Sequence, residues 1–213
     1  TGKEEGRFLG KAWKSKDNWR TVDGPIDVHV YVPDATGGYA DDDRTYLFGP
    51  LFYRSILELG NGDVLTSMYG WFKDDNILGK RWNRNYTKMC KFRSFVVLSK
   101  DKDASWAYLS TIAGPDIGGE GPNETVLSPT SDGAILAMMR VGGGEPLYQS
   151  KSKDQGRTWS KPISTGVPGV RPDMALLSNG VLACSYGRPG NNVMFSVDGT
   201  GNEWSHHIVL PSR

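Results

Sequence analysis

One eight-residue pattern, Ser-x-Asp-x-Gly-x-Thr-Trp, constrains this chain more than any other feature, because it returns at intervals. It is complete from Ser152 to Trp159, with Asp154 in its third position. Ser99 to Trp106 keeps the Ser, Asp101, a hydroxyl residue and the Trp, and Ser196 to Trp204 keeps the Ser, Asp198 and the Trp with one extra residue in the turn. The copies start 53 and 44 residues apart, a period that belongs to propellers and other repeat folds. The residue types suit a tight turn. An Asp two positions after a Ser accepts backbone N–H groups, a Gly supplies φ > 0 cheaply, and the Trp opens the next strand and buries a large apolar face.

A second repeat lies between these turns: an apolar run, an Asn-Gly or Asp-Gly pair, and another apolar run. Its copies centre on Asn61-Gly62, Asp132-Gly133 and Asn179-Gly180. Such pairs between apolar runs are strong hairpin signals. A hairpin followed by a Ser/Asp/Trp turn makes four antiparallel strands, and radial repetition of four-stranded sheets is a β-propeller. With 27 Gly, 7 Trp and no helical periodicity to defend, the expectation is an all-β chain. No linker divides it, so residues 1–213 read as a single domain, and the repeat length gives about four or five blades. Ile26 to Val32 alternates and reads as a further strand, whereas Gly70 to Thr87 and Gly114 to Gly121 read as loops.

Charge narrows the partners. The 25 basic and 24 acidic residues leave a net charge of +1, which argues against nucleic acid, and no apolar run approaches a membrane span. Cys90 and Cys184 are compatible with a disulfide or with two buried thiols. Neither they nor His29, His206 and His207 have metal-ligand spacing, so no metal and no cofactor is expected.

Three charged residues stand at the start of the first strand of successive hairpin repeats: Arg54, Glu124 and Arg171, eight or nine residues before the turn glycine. In a propeller these first strands surround the axis. Charge there needs partners or a ligand, because an unpaired buried charge is expensive. The sequence leaves open whether these are structural ion pairs or a binding site.

The repeated turns resemble the Asp-boxes (BNR repeats) of the sialidase, or neuraminidase, family of six-bladed propellers. That resemblance implies that Asp101, Trp106, Asp154, Trp159, Asp198 and Trp204 are structural residues on the blade periphery. Tyr53-Arg54-Ser55-Ile56 resembles the family's Tyr/Phe-Arg-Ile-Pro signature, with Ser-Ile in place of Ile-Pro. Glu124, followed 16 residues later by Arg140, resembles the catalytic Glu and the second carboxylate-gripping Arg. Arg188, eight residues before the last box, resembles the third Arg, and Arg171 is its rival. Three guanidiniums suit a carboxylate sugar, since Arg binds carboxylates bidentately and keeps its proton. Asp74 and Asp75 match the family's loop acid/base, or else form a solvated acidic pair; the neighbouring Trp71 and Phe72 either stack on a sugar or anchor the loop.

The resemblance implies an exo-acting glycoside hydrolase for a terminal acidic sugar such as sialic acid, in a secreted or periplasmic setting. Two departures qualify it. The family's nucleophile is a Tyr after the third Arg, yet no Tyr occurs in the 25 residues after Arg188, and Tyr69 and Tyr186 do not match that position. The interval from Arg54 to Glu124 is also short by about a blade. The alternatives are a non-catalytic carbohydrate-binding propeller, or a lyase or hydrolase of uronate- or rhamnose-containing polysaccharide in which His206 or His207 takes part. Sequons stand at Asn85 and Asn123, the second overlapping Glu124.

Overall fold

The computed structural model describes residues 6–37, 39–40, 45–46, 49–80, 88–102, 104–142 and 144–211, and these contain strands and turns but no helix. The sequon at Asn85 lies outside the described residues. Strands run in the order β1 (Arg7–Lys14), β2 (Asp23–Tyr31), β3 (Ala35–Thr36), β4 (Tyr39–Ala40), β5 (Thr45–Tyr46), β6 (Leu51–Glu58), β7 (Val64–Phe72), β8 (Leu78–Lys80), β9 (Lys88–Cys90), β10 (Arg93–Ser99) and β11 (Ser105–Ala113). They continue as β12 (Asn123–Pro129), β13 (Ile135–Arg140), β14 (Pro146–Ser152), β15 (Ile163–Pro168), β16 (Val170–Leu176), β17 (Leu182–Gly187), β18 (Asn191–Ser196) and β19 (Ser205–Leu210).

Three antiparallel sheets have the strand order of propeller blades: β6-β7-β10-β11, β12-β13-β14-β15 and β16-β17-β18-β19. Their first strands β6, β12 and β16 touch one another in sequence order, which places them around a shared axis. Each Asn-Gly or Asp-Gly turn closes the hairpin between the first and second strands, as the turn chemistry predicts.

Three blades, not four or five, are present among the described residues. The length that the repeat interval assigned to further blades is spent otherwise. The β1–β2 hairpin adds to the outer edge of the first blade, where β2 runs parallel to β11 over Ser105–Ala107, and short strands form a small sheet β5-β4-β9-β8. Of the segment from Gly70 to Thr87, expected to be a loop, residues 81–87 lie outside the described residues; within the rest, Gly70–Phe72 complete β7 and Leu78–Lys80 form β8. Gly114–Gly121 contains no strand.

Central strands of the first two blades are apolar on both faces because those sheets are covered twice, whereas β16 to β19 are packed on one face and β19 is exposed throughout. Leu65, Val96, Leu127, Ala137 and Met139 fill the layer between the first two blades, and Val126, Met138, Leu147, Cys184 and Met194 fill the next. Each fully buried Leu or Met contributes about 1.5–3 kcal/mol. Val28, Val30 and Val32 of the N-terminal hairpin pack on Met68, Phe95, Val97 and Trp106. Cys90 and Cys184 are both buried and are not joined in a disulfide.

The box turns hold themselves and then hold the blades. Ser152 donates to Asp154 Oδ1 at 2.8 Å, while Asp154 accepts the N–H and the hydroxyl of Thr158 at 2.9 and 2.6 Å. Ser196, Asp198 and Thr200 repeat this pattern, and Ser99, Asp101 and Ser105 approximate it. Across the interfaces, Trp159 Nε1 donates to Ser110 Oγ at 3.0 Å and Ser110 donates to Gly156 O. One blade further on, Trp204 Nε1 donates to Gln149 Oε1 at 2.7 Å and Gln149 donates to Gly201 O at 2.7 Å.

A fourth box, missed in the sequence, closes the β1–β2 hairpin. Ser15 donates to Asp17 at 2.9 Å, Asp17 accepts the Thr21 N–H and hydroxyl at 2.9 and 2.7 Å, and Ser15 accepts the Trp19 N–H at 2.7 Å. Ser-x-Asp-x-x-x-Thr was its signal. Trp19 in the glycine position, at φ 67°, and Val22 in the Trp position hid it.

Candidate functional site

All three first strands break register near their start: β6 between Tyr53 and Ile56, β12 between Asn123 and Val126, and β16 between Val170 and Asp173. Each break holds one of the charged residues singled out in the sequence, Arg54, Glu124 or Arg171. A bulge re-aims the side chain it contains, which delivers charge from strands that are otherwise apolar. Glu124 and Arg171 adopt φ of 42° and 52°. Left-handed backbone at a bulky residue costs about 1–3 kcal/mol and persists only where the surroundings hold it.

Those surroundings are hydrogen bonds between neighbouring first strands. Ser55, in the place where the resembled signature carries an apolar residue, accepts the Leu127 N–H at 2.8 Å and so ties β6 to β12. Glu124 Oε2 accepts the Arg171 N–H at 3.1 Å and ties β12 to β16. The other oxygen of Glu124 lies 3.3 Å from Arg140 Nη1 and 4.0 Å from Arg171 Nε.

Arg140, at the end of β13, bridges two carboxylates, since its Nη2 also donates to Glu120 at 2.7 Å. Glu120 is buried in the Gly-rich connection before β12. Nothing in its own sequence setting distinguished it, beyond being the one acid between Asp116 and Glu124. Arg140 is thus largely neutralised, and its Nε has no hydrogen-bond partner. Within this cluster the exposed guanidiniums are Arg54 and Arg171, with side chains 48% and 66% accessible. Arg54 Nη1 is 3.9 Å from Asp173, and its guanidinium carbon lies 5.4 Å from the centre of the Tyr53 ring. The buried Tyr53 hydroxyl is unpartnered; burial, and then the charge of Glu124, push its pKa up to about 12. The same two causes raise Tyr69. Both phenols are therefore neutral near pH 7.

The remaining candidates lie apart from this cluster or are otherwise engaged. Asp75 is buried, gripped by Arg93 Nε and Nη2 at 2.9 and 2.5 Å, and accepts the Phe72 N–H at 2.9 Å. Arg93 also lies 4.7 Å over the Phe72 ring. Asp74 is exposed. Trp71 is buried, stacks on Phe92 at 4.7 Å and donates to Cys90 O, so it anchors the core. Arg188 is exposed just beyond β17, and no hydrogen bond or ion pair among the described residues links its side chain to Glu124. Tyr186 and His207 share a 3.2 Å contact. Asn123 is buried and donates to Gly121 O at 2.9 Å, which leaves no room for a glycan. Among the described residues, no group of three or more His, Cys, Asp or Glu is placed to hold a metal.

Residues 55–213 match the family described as "BNR repeat-like domain". No curated protein matches the chain. A protein of unknown function from Dyadobacter fermentans DSM 18053 superposes with a TM-score of 0.68 at 20% identity, over 93% of this chain and 51% of that one. The Hadza microbial sialidase Hz136 superposes with a TM-score of 0.60 at 18% identity, over 93% of this chain and 36% of that one. The GH93 α-L-arabinofuranosidase of Fusarium graminearum, solved with arabinobiose, gives 0.56 at 18% identity, over 93% and 58%. At these identities the likeness is one of fold, and the chain spans less than two thirds of each of these structures.

Proposed function

Because this chain belongs to the family of BNR repeat-like domains, we propose that it forms the sugar-contacting part of a glycoside hydrolase-type propeller. The substrate in this reading is a terminal acidic sugar, sialic acid or a similar carboxylate. The observation that carries it is Glu124, set on a first-strand bulge between the guanidiniums of Arg140 and Arg171. The exposed forks of Arg54 and Arg171 suit the sugar carboxylate, which Arg binds with paired hydrogen bonds. Glu124, 4.0 Å from Arg171 Nε, is the carboxylate that acts at the glycosidic bond or its leaving group, while Asp173 stands 3.9 Å from Arg54. Glu120, behind Arg140, holds that guanidinium in place and so positions Glu124. Tyr53, neutral near pH 7, is available as a hydrogen-bond donor to the sugar. The test is release of fluorophore from an aryl sialoside and, in parallel, an aryl arabinofuranoside. Turnover of the sialoside that is lost in Glu124→Gln and Arg54→Ala supports the reading; turnover of the arabinofuranoside alone removes the acidic sugar from it.

One observation favours a second reading, sugar binding without hydrolysis. Asp75, one of the two loop carboxylates available as an acid, is committed to Arg93. Glycan retention by wild type and Glu124→Gln alike, with neither substrate turned over, would select that reading.

A further inference from the structure

A second concavity lies away from the charged bulges. It measures 1070 Å³ and opens on the outer side of the first blade, where β1, β2 and β11 form one continuous curled sheet. Its other walls are the Asn61–Asp63 turn, Lys100 of the first box and Arg157 of the second. These turns leave the strands at the end opposite to Arg54, Glu124 and Arg171, because β6 runs from the bulge to the Asn-Gly turn and the box turns lie at that same end of antiparallel strands. The two sites are therefore remote from each other.

Cations outnumber anions in the concavity, and His29 lies among them. Arg7, Lys100 and Arg157 line it against a single carboxylate, Asp63. Tyr31 is 47% exposed, with Arg7 over its ring at 5.9 Å, and Leu9 beside it is 78% exposed. An aromatic ring next to guanidinium and ammonium groups offers an apolar face for sugar C–H groups and cations for their carboxylates. The volume reaches the upper end of what small-ligand sites occupy, about 300–1,000 Å³, room for several sugar units.

We propose that this trough is an accessory site for a carboxylate-bearing oligosaccharide, held by Lys100 and Arg157 and stacked on Tyr31. It tethers an acidic glycan remote from the Glu124 cluster, and it rests on different residues from those of the proposed function. Loss of one reading leaves the other standing.

Titration of the whole chain with hexagalacturonate, followed by calorimetry at low salt, tests it against two other probes, neutral cellohexaose and tripolyphosphate. The expected result is hexagalacturonate binding weakened about tenfold or more by Lys100→Glu with Arg157→Glu, which corresponds to about one charge-assisted contact, and weakened also by Tyr31→Ala. The paired variant Arg54→Ala with Arg171→Ala should retain the binding that depends on Lys100, Arg157 and Tyr31. All these side chains are on the surface, so an unchanged melting temperature excludes misfolding as the cause. Absence of binding, equal binding of cellohexaose, or insensitivity to Lys100→Glu with Arg157→Glu overturns the proposal. Tripolyphosphate binding of equal strength and equal dependence on Tyr31 does so too, since the site would then be a general polyanion patch. Loss of hexagalacturonate binding in the Arg54/Arg171 variant places the ligand at the first-strand bulges instead, and sinks the trough.

Discussion

Arg171 donates its backbone N–H to Glu124 Oε2 at 3.1 Å, and both residues hold left-handed φ in corresponding bulges of adjacent first strands. One bond thus spans two blades and fixes two strained residues. It explains why a carboxylate can stand at the mouth of an apolar sheet without leaving it. The bulge turns Glu124 out of the packed layer, and the N–H of the neighbouring bulge, with the guanidinium of Arg140, replaces the water it loses.

Glu124→Gln keeps an acceptor for the Arg171 N–H but removes the charge. Arg140 retains Glu120, so unfolding free energy should change by only about 1 kcal/mol. Turnover, or glycan affinity if the protein only binds, should fall about a hundredfold or more. Denaturant melts alongside the functional assay check both halves; a large stability loss with function intact would reduce Glu124 to a structural ion pair.

Asp75→Asn breaks the buried pair with Arg93 and leaves a guanidinium uncompensated. The expected loss is about 3–5 kcal/mol, against a change within about 0.5 kcal/mol for the exposed Asp74→Asn. Equal melting temperatures for the two variants would contradict the assignment of Asp75 to the scaffold.

Acid should loosen the box turns. The hydroxyl and N–H of Thr158 hold the Asp154 carboxyl at about 2, below its ordinary 3.8, and Asp17 and Asp198 are lowered for the same reason. A group whose pKa is lower in the folded state adds stability above its unfolded value and loses it as pH falls through the folded one. The melting temperature should therefore drop between pH 4 and pH 2, with a shallower drop in Asp154→Asn. A parallel decline in both proteins would remove this carboxyl as a cause.

Gly156→Ala and Gly180→Ala separate backbone strain from packing. Both glycines have positive φ, 83° and 85°, yet a Cβ at Gly156 would stand 2.9 Å from Leu65 in the preceding blade, and one at Gly180 would meet nothing within 4 Å. Gly180→Ala should cost about 1–2 kcal/mol, the left-handed penalty alone. Gly156→Ala should cost clearly more, as measured by chemical unfolding; equal costs would mean that Leu65 yields freely.

The sequence by itself determined what local chemistry can determine. Ser152, Asp154, Gly156 and Thr158 satisfy one another within a single turn, and Asn61-Gly62, Asp132-Gly133 and Asn179-Gly180 each select a hairpin, so the blade unit and its period were legible from short stretches. The placement of Arg54, Glu124 and Arg171 at equivalent positions was legible too, because a repeat transfers position from one copy to the next. Only the tertiary structure decided which charges meet. Glu120 reaches Arg140, and Asp75 reaches Arg93, through contacts between elements distant along the chain, which no spacing rule encodes. The same holds for the N-terminal hairpin: its Asp17 turn is local, but its place against the first blade depends on which apolar face remained uncovered.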